Sequence, residues 1–174
     1  YARDILHHIA HVHGAFPGHN LEWGGDAVAA MPMQGRFTLA TLSAELSAEF
    51  SLFPHDAVLA AYLQDRASKP YDPVAPDPDA NYEEMIRIDV SALEPLVVLP
   101  NKVAHNAAPA RELGEAKIDQ AFIGSCANGR IEDFAVAAEI LIGRQVAPGV
   151  RMIVTPGSQS VLQEAMAKGY VETL

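Results

Sequence analysis

The only cysteine in the chain, Cys126, lies on a turn flanked by glycines, GSCANG at residues 124–129. The apolar run at 121–123 predicts a short buried strand before the turn, and apolar spacing from 134 to 142 predicts a helix after it. Cys126 is therefore expected just before a helix N-terminus, where backbone N–H groups and the helix dipole favour a thiolate. A thiolate can bind a metal or attack a substrate. The alternative is a small buried hydrophobic side chain, the usual role of a lone cysteine.

Two histidines of the first predicted helix, His7 and His11, are four residues apart, a spacing that can place two imidazoles on one metal ion. His8 and His13 add to the local density of histidine. No third ligand is evident, and short matches of this kind are common by chance. A histidine-rich exposed helix face is therefore the favoured interpretation.

Three segments in the second half of the chain resemble the aconitase family and, within it, the 3-isopropylmalate dehydratase large-subunit family. They are IGSCANGRIED, GRQVAPGVR and VTPGSQ, which occur in the family in the same order. Weaker similarity continues upstream at residues 1–4 (YARD), 35–38 (GRFT) and 53–54 (FP). The resemblance thus covers essentially the whole chain.

This resemblance implies a four-iron four-sulfur (4Fe-4S) cluster that is held by three cysteines, one of which matches Cys126. Ser125 and Asn128 flank it and can hydrogen-bond the cluster sulfur or the substrate. Glu45 falls where the family has a glutamate that contacts the water or hydroxyl on the iron, which implies an acid/base role. Spacing alone would instead favour a solvated glutamate on a helix.

The family's other two cluster cysteines lie in a later CxxC pair, which this sequence lacks, as it lacks the family's early Asp-His and Ser-His elements. In the family the catalytic base is a serine, which a swivelling domain or a small subunit supplies together with substrate-binding arginines. The chain is therefore expected to be an internal fragment of a larger subunit, inactive by itself and without a stably bound cluster.

The activity that the resemblance implies is that of a hydro-lyase, which isomerises a hydroxy di- or tricarboxylic acid by removing water and adding it back. A 3-isopropylmalate dehydratase is the first expectation, and a homoaconitase or aconitase-type hydratase is the alternative. An RNA-binding relative and a non-catalytic scaffold stay open as further classes. The chain departs from the family pattern at Ala40, Thr41 and Ala127, which fits either a different hydroxy acid substrate or a weakened or absent activity.

The chain is acidic, with 22 Asp and Glu against 12 Lys and Arg and a formal net charge of -10. This balance argues against general binding of nucleic acid or of anionic membranes, because phosphate groups are bound by Lys and Arg. Cationic groups that recognise a carboxylate substrate must be local or come from another polypeptide. The lack of a long apolar run and of an apolar leader, together with the single cysteine, predicts a cytoplasmic protein.

The elements that must position these residues follow from hydrophobic spacing and turn residues. Helices are predicted at 2–13, 26–30, 38–50 and 56–66, and strands at 21–23, 51–53, 85–90 and 96–99. Four prolines predict that 68–81 is an extended segment on the surface. Residues 100–109 are predicted to form a second irregular connection.

After residue 114 strands and helices alternate along the chain, at 118–123, 131–144, 150–154 and 158–167. This order predicts a parallel sheet and an α/β fold, of the three-layer α/β/α type with parallel or mixed sheets. A domain boundary is expected near Leu113, which gives an α/β domain at 1–113 and the incomplete start of a following domain at 114–174. Two strands alone leave the edges and faces of a parallel sheet uncovered.

Overall fold

All 174 residues are described in the computed structural model, and they form two compact units, Tyr1–Glu112 and Leu113–Leu174. Both units combine helices with two-stranded sheets, so the predicted α/β class is confirmed. Two of the three sheets are parallel pairs and one is an antiparallel pair. None of the helices has the length and apolar character needed to cross a lipid bilayer.

The first unit contains four helices, four strands and three 3-10 turns. In chain order they are α1 (Ala2–His13), β1 (Asn20–Glu22), α2 (Asp26–Ala29), α3 (Met33–Leu42), a 3-10 turn (Ser43–Leu46), β2 (Phe50–Leu52), α4 (Ala57–Leu63), a 3-10 turn (Val90–Ala92), β3 (Leu96–Val98), β4 (Ala107–Pro109) and a 3-10 turn (Ala110–Glu112). β1 pairs with β2 in parallel, and β3 pairs with β4 in antiparallel orientation. Helix α1 is as predicted, and α2 and α4 lie within their predicted ranges.

The core of the first unit forms around α1, whose apolar face buries Leu6 and Ala10 completely. These residues recur at the spacing of one side of a helix. The helix ends at Gly14, which has φ 83 and lies against the ring of His105. A side chain at Gly14 would strain the backbone and overlap the histidine.

The helix predicted at 38–50 is wrong at both ends. Helix α3 begins earlier and is followed by the 3-10 turn Ser43–Leu46, which the left-handed Ser47 (φ 61) ends. Apolar residues recur here every three or four positions, a spacing that suits a 3-10 turn as well as an α-helix. Phe50 belongs instead to β2, because pairing with β1 fixes the chain there as a strand.

The strand predicted at 85–90 is wrong, because this segment is irregular up to the 3-10 turn Val90–Ala92. Its apolar residues alternate as in a strand, but no neighbouring strand pairs with it. Within the predicted irregular connection 100–109, the short strand β4 was not predicted. Its sequence, Ala-Ala-Pro, has little β propensity, so the strand owes its existence to the pairing with β3.

A buried arginine joins the three later helices of the first unit. Arg36 on α3 is 1% exposed, and its guanidinium donates to the main-chain carbonyls of Val28 and Met31, each at 3.1 Å. It also forms a bidentate ion pair with Asp56 at 2.9 and 2.6 Å. Asp56 caps α4 by accepting from the Leu59 N–H at 3.0 Å. The hydrogen bonds from Arg36 lower the pKa of Asp56 to about 2.

The second unit follows the predicted order of strand, helix, strand and helix, which is confirmed. Its elements are β5 (Gln120–Gly124), α5 (Ser125–Asn128), α6 (Ile131–Leu141), β6 (Arg151–Thr155), α7 (Gln159–Ala167) and α8 (Tyr170–Thr173). β5 and β6 pair in parallel, as expected. Helices α5 and α8 were not predicted, because four residues are too few to show a helical period in the sequence.

The core of the second unit is small. Phe134, Ala138 and Ala165 are buried, whereas several large apolar side chains lie on the surface. Phe122, in the middle of β5, is 53% exposed, and Ile142, after α6, is 69% exposed. Parallel sheets are normally covered on both faces, so this unit leaves apolar surface without cover.

Candidate functional site

Cys126 lies where the parallel strands of the second unit end. β5 ends at Gly124 and α5 carries Cys126 directly after it, while Thr155, the last residue of β6, pairs with Gly124. The carboxyl ends of parallel strands form the edge at which α/β sheets usually bind ligands. The thiol is exposed and forms no disulfide, so the alternative of a buried hydrophobic side chain is wrong.

The backbone that presents Cys126 has an uncommon conformation. Gly124 has φ 111 and Ser125 has φ 77. A side chain at Gly124 would overlap the main-chain carbonyl of Thr155. A left-handed conformation is costly for a residue other than glycine and persists only where the surroundings hold it. The cysteine turn, residues 125–130, is therefore held by its contacts.

The loop after β6 supports the cysteine turn through direct contact between backbones. The Gly157 N–H donates to the Gly129 carbonyl at 2.8 Å. A Cβ on Gly129 would lie 2.7 Å from the Gly157 nitrogen, and a Cβ on Gly157 would lie 3.0 Å from the Gly129 carbonyl oxygen. Glycine at both positions is what allows this close approach.

A second set of contacts ties the cysteine turn to α6. Asp133 accepts from Asn128 Nδ2 at 3.1 Å through Oδ1 and from the Arg130 N–H at 3.0 Å through Oδ2. The Arg130 guanidinium donates back to the Cys126 carbonyl at 3.2 Å. Ser125 Oγ lies 3.8 Å from Cys126 Sγ, within reach of a weak hydrogen bond to sulfur. Side chains on both sides of the cysteine are thus engaged within the turn.

Cys126 precedes the N-terminus of α6, as expected, but the turn that carries it forms a short helix of its own. Cys126 lies inside the four-residue helix α5, and Gly129 and Arg130 separate it from α6. Asp133 caps the N-terminus of α6. The favourable charge interaction at that helix end therefore belongs to Asp133 and not to the thiol.

Sequence reasoning missed Asp133 as a residue of the site. A usable signal was present, since Asp133 comes three residues after Arg130, which precedes the first residue of α6. This is the spacing at which an acidic side chain reaches back to the start of its own helix. What the sequence did not reveal is the second bond, to Asn128, because it depends on the fold of α5.

The residues of this chain fit one position of a metal cluster and not a complete site. A thiol on an exposed turn, with a hydroxyl and an amide beside it, is a suitable ligand for iron. No group of three or more His, Cys, Asp or Glu side chains among the 174 residues is arranged to hold a metal ion. Any further ligands of such a cluster must come from outside this chain.

Glu45 belongs to the first unit, where it lies on the 3-10 turn Ser43–Leu46 with its side chain exposed. The turn is anchored on both sides of Glu45, since Ser43 is 1% exposed and Leu46 is fully buried. The Ser43 hydroxyl also contacts Ser51 Oγ at 3.1 Å. An exposed carboxylate on an anchored turn is available to exchange protons with a ligand.

The three positions that depart from the family pattern are close in sequence to these residues. Ala40 and Thr41 are half-buried in the last turn of α3, and Ala127 is buried in α5 beside Cys126. Alanine at 127 packs a methyl group into the unit and offers no hydroxyl to a neighbouring ligand.

The histidines of α1 are not gathered around one point. His7 is buried, which contradicts the predicted exposed face at this position, and its Nδ1 has no hydrogen-bond partner. Burial lowers the pKa of His7. His11 is exposed and accepts from the Ala107 N–H through Nδ1 at 3.3 Å. Burial of His7 arises because its position adjoins the apolar face of the helix that carries Leu6.

A sequence model of the Aconitase family (aconitate hydratase) matches residues 1–109 and 101–174. The chain belongs to the aconitase family. Its family segment IGSC is therefore the segment that forms the end of β5 and the start of the cysteine turn.

Several proteins similar to this chain are 3-isopropylmalate dehydratase large subunits. A 3-isopropylmalate dehydratase large subunit from Mycolicibacterium smegmatis is 48% identical over 172 residues, which are 99% of this chain and 41% of that protein. Proteins of the same name from Moorella thermoacetica and Lachnoclostridium phytofermentans are 44% identical over 153 residues and 38% identical over 173 residues. These cover 88% and 98% of this chain, and 36% and 41% of the relatives. The chain thus spans about two fifths of the length of the curated relatives it matches.

Proposed function

We propose that this chain is part of the large subunit of an iron-sulfur hydro-lyase that isomerises a hydroxy acid by dehydration and rehydration. The leading substrate is 3-isopropylmalate, because the similar proteins are named for it; a homoaconitase- or aconitase-type substrate is the alternative. The observation that carries the proposal is the exposed thiol of Cys126 at the carboxyl end of β5, on the family's IGSC segment.

In this proposal Cys126 holds a 4Fe-4S cluster as one of three thiolate ligands. When bound, the cluster supplies a Lewis acid that makes hydroxide a better leaving group. The chain's own contribution is to fix the thiol, through the glycine contacts of the turn, and to place Ser125 and Asn128 beside it. A Ser125 hydroxyl that donates to sulfur, as it does at 3.8 Å, stabilises a thiolate.

We assign acid/base work in the dehydration to Glu45. When protonated at Oε, Glu45 can give this proton to the hydroxyl oxygen that leaves the substrate, and the carboxylate can take it back on rehydration. Support comes from its exposure and from the buried residues Ser43 and Leu46 that anchor its turn.

We assign proton removal by a base and substrate binding to polypeptide segments outside this chain. The formal net charge of -10 leaves a substrate carboxylate poorly attracted by this chain. We therefore propose that a small subunit or swivelling domain supplies the serine base and the arginines that bind the substrate. The uncovered apolar surface around Phe122 and Ile142 supports the further proposal that 114–174 begins a larger domain, while 1–113 is a separate α/β domain.

We further propose that the protein works in the cytoplasm. A free, exposed cysteine that serves as a cluster ligand must stay reduced, and the cytoplasm keeps thiols in that state. Neither nucleic acid nor a membrane is part of the proposed function.

The proposal is tested by assaying the full-length large subunit together with its small subunit after anaerobic loading with iron and sulfide. We expect turnover of 3-isopropylmalate, with citrate and homocitrate turned over at a lower kcat/KM. Turnover of citrate or homocitrate alone would replace the leading substrate by the alternative.

A fully loaded protein that turns over none of these acids would overturn the proposed activity. That outcome would favour a non-catalytic family member, in line with Ala40, Thr41 and Ala127. A shift of RNA mobility by the cluster-free protein would instead favour the RNA-binding class.

A further inference from the structure

We infer that Asp133 is a positioning residue that fixes the cysteine turn for its ligand. The inference rests on the proposed function only in taking Cys126 as a metal ligand. The carboxylate of Asp133 accepts hydrogen bonds from Asn128 Nδ2 at 3.1 Å and from the Arg130 N–H at 3.0 Å. These two donors lie on either side of Gly129, so the carboxylate bridges the end of α5 and the start of α6.

The bridge acts together with the backbone contacts of Gly129 and Gly157 that hold the turn. Gly129 has no side chain to restrict its backbone, and Ser125 is held in the left-handed region at φ 77. Arg130, which Asp133 positions through its N–H, donates from its guanidinium to the Cys126 carbonyl at 3.2 Å. A chain of hydrogen bonds therefore runs from Asp133 to the peptide group of the cysteine itself.

A purely structural role for Asp133 would be the capping of α6 and nothing more. Glu132 provides the matched comparison, since it lies in the same first turn of α6, carries the same charge and is exposed. Removal of either charge weakens the interaction with the helix dipole. Only removal of the Asp133 carboxylate also breaks the bond to Asn128.

The first test measures amide hydrogen exchange in the 174-residue chain, with Asp133→Asn and Glu132→Gln compared with the wild type. The asparagine retains one acceptor and presents an amide group in place of the other, so it cannot accept from both donors. We expect the amides of 125–130 to exchange at least about tenfold faster in Asp133→Asn. Glu132→Gln should leave them unchanged, and equal exchange in the two variants would overturn the inference.

Asn128→Ala is a second variant that still tests the inference if Asp133→Asn unfolds the unit. It removes the bond on the side of the turn and leaves the Arg130 N–H bonded to Asp133. We expect faster exchange at 125–128 while the amides of α6 stay protected. Loss of protection in α6, or no change in the turn, contradicts the positioning role.

The second test uses the full-length holoprotein and measures iron per chain and the electron paramagnetic resonance spectrum after one-electron reduction of the cluster. Asp133→Asn should lose iron faster than Glu132→Gln after transfer into buffer without iron, and its spectrum should shift. If Cys126→Ser loses its cluster while Asp133→Asn equals Glu132→Gln, the inference fails and the proposed function stands. If Cys126→Ser keeps a full cluster, the proposed function fails, while the exchange experiment still decides the role of Asp133.

Discussion

At the scale of single residues, Cys126 is notable for being exposed without forming a disulfide. Exposed thiols are open to oxidation, and a cysteine that only packs is usually buried. The turn around it uses glycines at close approach and a left-handed serine, a costly backbone for mere packing. Both features are expected of a residue that binds a ligand.

Glu45→Gln in the full-length protein, assayed with its small subunit, should lower kcat by about a hundredfold or more with iron content unchanged. The amide keeps the size of the side chain and removes its ability to carry a proton. The measurement is steady-state turnover together with iron per chain. Glu49→Gln is the matched control, because Glu49 is exposed four residues further along the same segment. A Glu45→Gln enzyme with the turnover of this control would remove Glu45 from the reaction.

From the sequence alone the resemblance identifies Cys126, which lies in the IGSC segment, and Glu45, although Ala40 and Thr41 before it depart from the family pattern. The sequence could not identify the contacts that hold them. Asp133 gains its second partner only through α5, and the burial of His7 depends on packing of the whole helix α1.

At the scale of elements, the Arg36–Asp56 pair joins α2, α3 and α4. Asp56→Asn leaves the buried guanidinium without its counter-charge and should lower the free energy of unfolding of the first unit by about 3 kcal/mol at neutral pH. Urea unfolding followed by Trp23 fluorescence measures this, since Trp23 is the only tryptophan and lies in the first unit.

The effect of Asp56→Asn should depend on pH in a defined direction. The folded pKa of Asp56 is lowered to about 2, below the value of about 3.9 for an unfolded aspartate. The ion pair therefore stabilises fully above the unfolded pKa, and this stabilisation is lost as the pH falls toward 2. The difference between wild type and variant should shrink over that range. A difference that is the same at neutral pH and near pH 2 would show that the Arg36–Asp56 ion pair is not its source.

Gly129→Ala tests whether close backbone approach supports the cysteine turn. Its Cβ would overlap the Ser125 carbonyl oxygen and lie 2.7 Å from the Gly157 nitrogen, so the turn and the loop beside it must both shift, at a cost of about 3 kcal/mol. Hydrogen exchange of the β5 amides should become faster by the factor to which this free-energy cost corresponds. Gly143→Ala is the control, because Gly143 has a positive φ of 68 but open space around it. If Gly143→Ala speeds hydrogen exchange in β5 as much as Gly129→Ala does, overlap of the new side chain at position 129 is not the cause.

The elements that could be predicted from sequence are those with a full helical period or a clear apolar run. Helix α1 and the alternation from β5 to α7 are of this kind. The elements that could not be predicted depend on partners distant in sequence, as β4 does, or are single turns, as α5 is. The cysteine turn falls in this second group, because the helix α5 that it contains is a single turn.

At the scale of the whole molecule, the chain carries one cysteine and spans about two fifths of the length of its relatives. One thiolate cannot hold four irons against water, so we expect the 174-residue chain to bind well below one cluster per molecule after anaerobic reconstitution. Iron and sulfide analysis of the gel-filtered chain measures this. A stoichiometric cluster on the chain alone would show that the ligand set has been assigned wrongly.

The proposed function depends on a bond between the sulfur of Cys126 and iron. Its most direct test is iron and sulfide per chain, with the visible absorption spectrum, in full-length Cys126→Ser prepared anaerobically beside the wild type. We expect the variant to fold, as judged by circular dichroism, and to lose the stoichiometric cluster. A variant that holds as much iron and sulfide as the wild type, with the same spectrum, would contradict it.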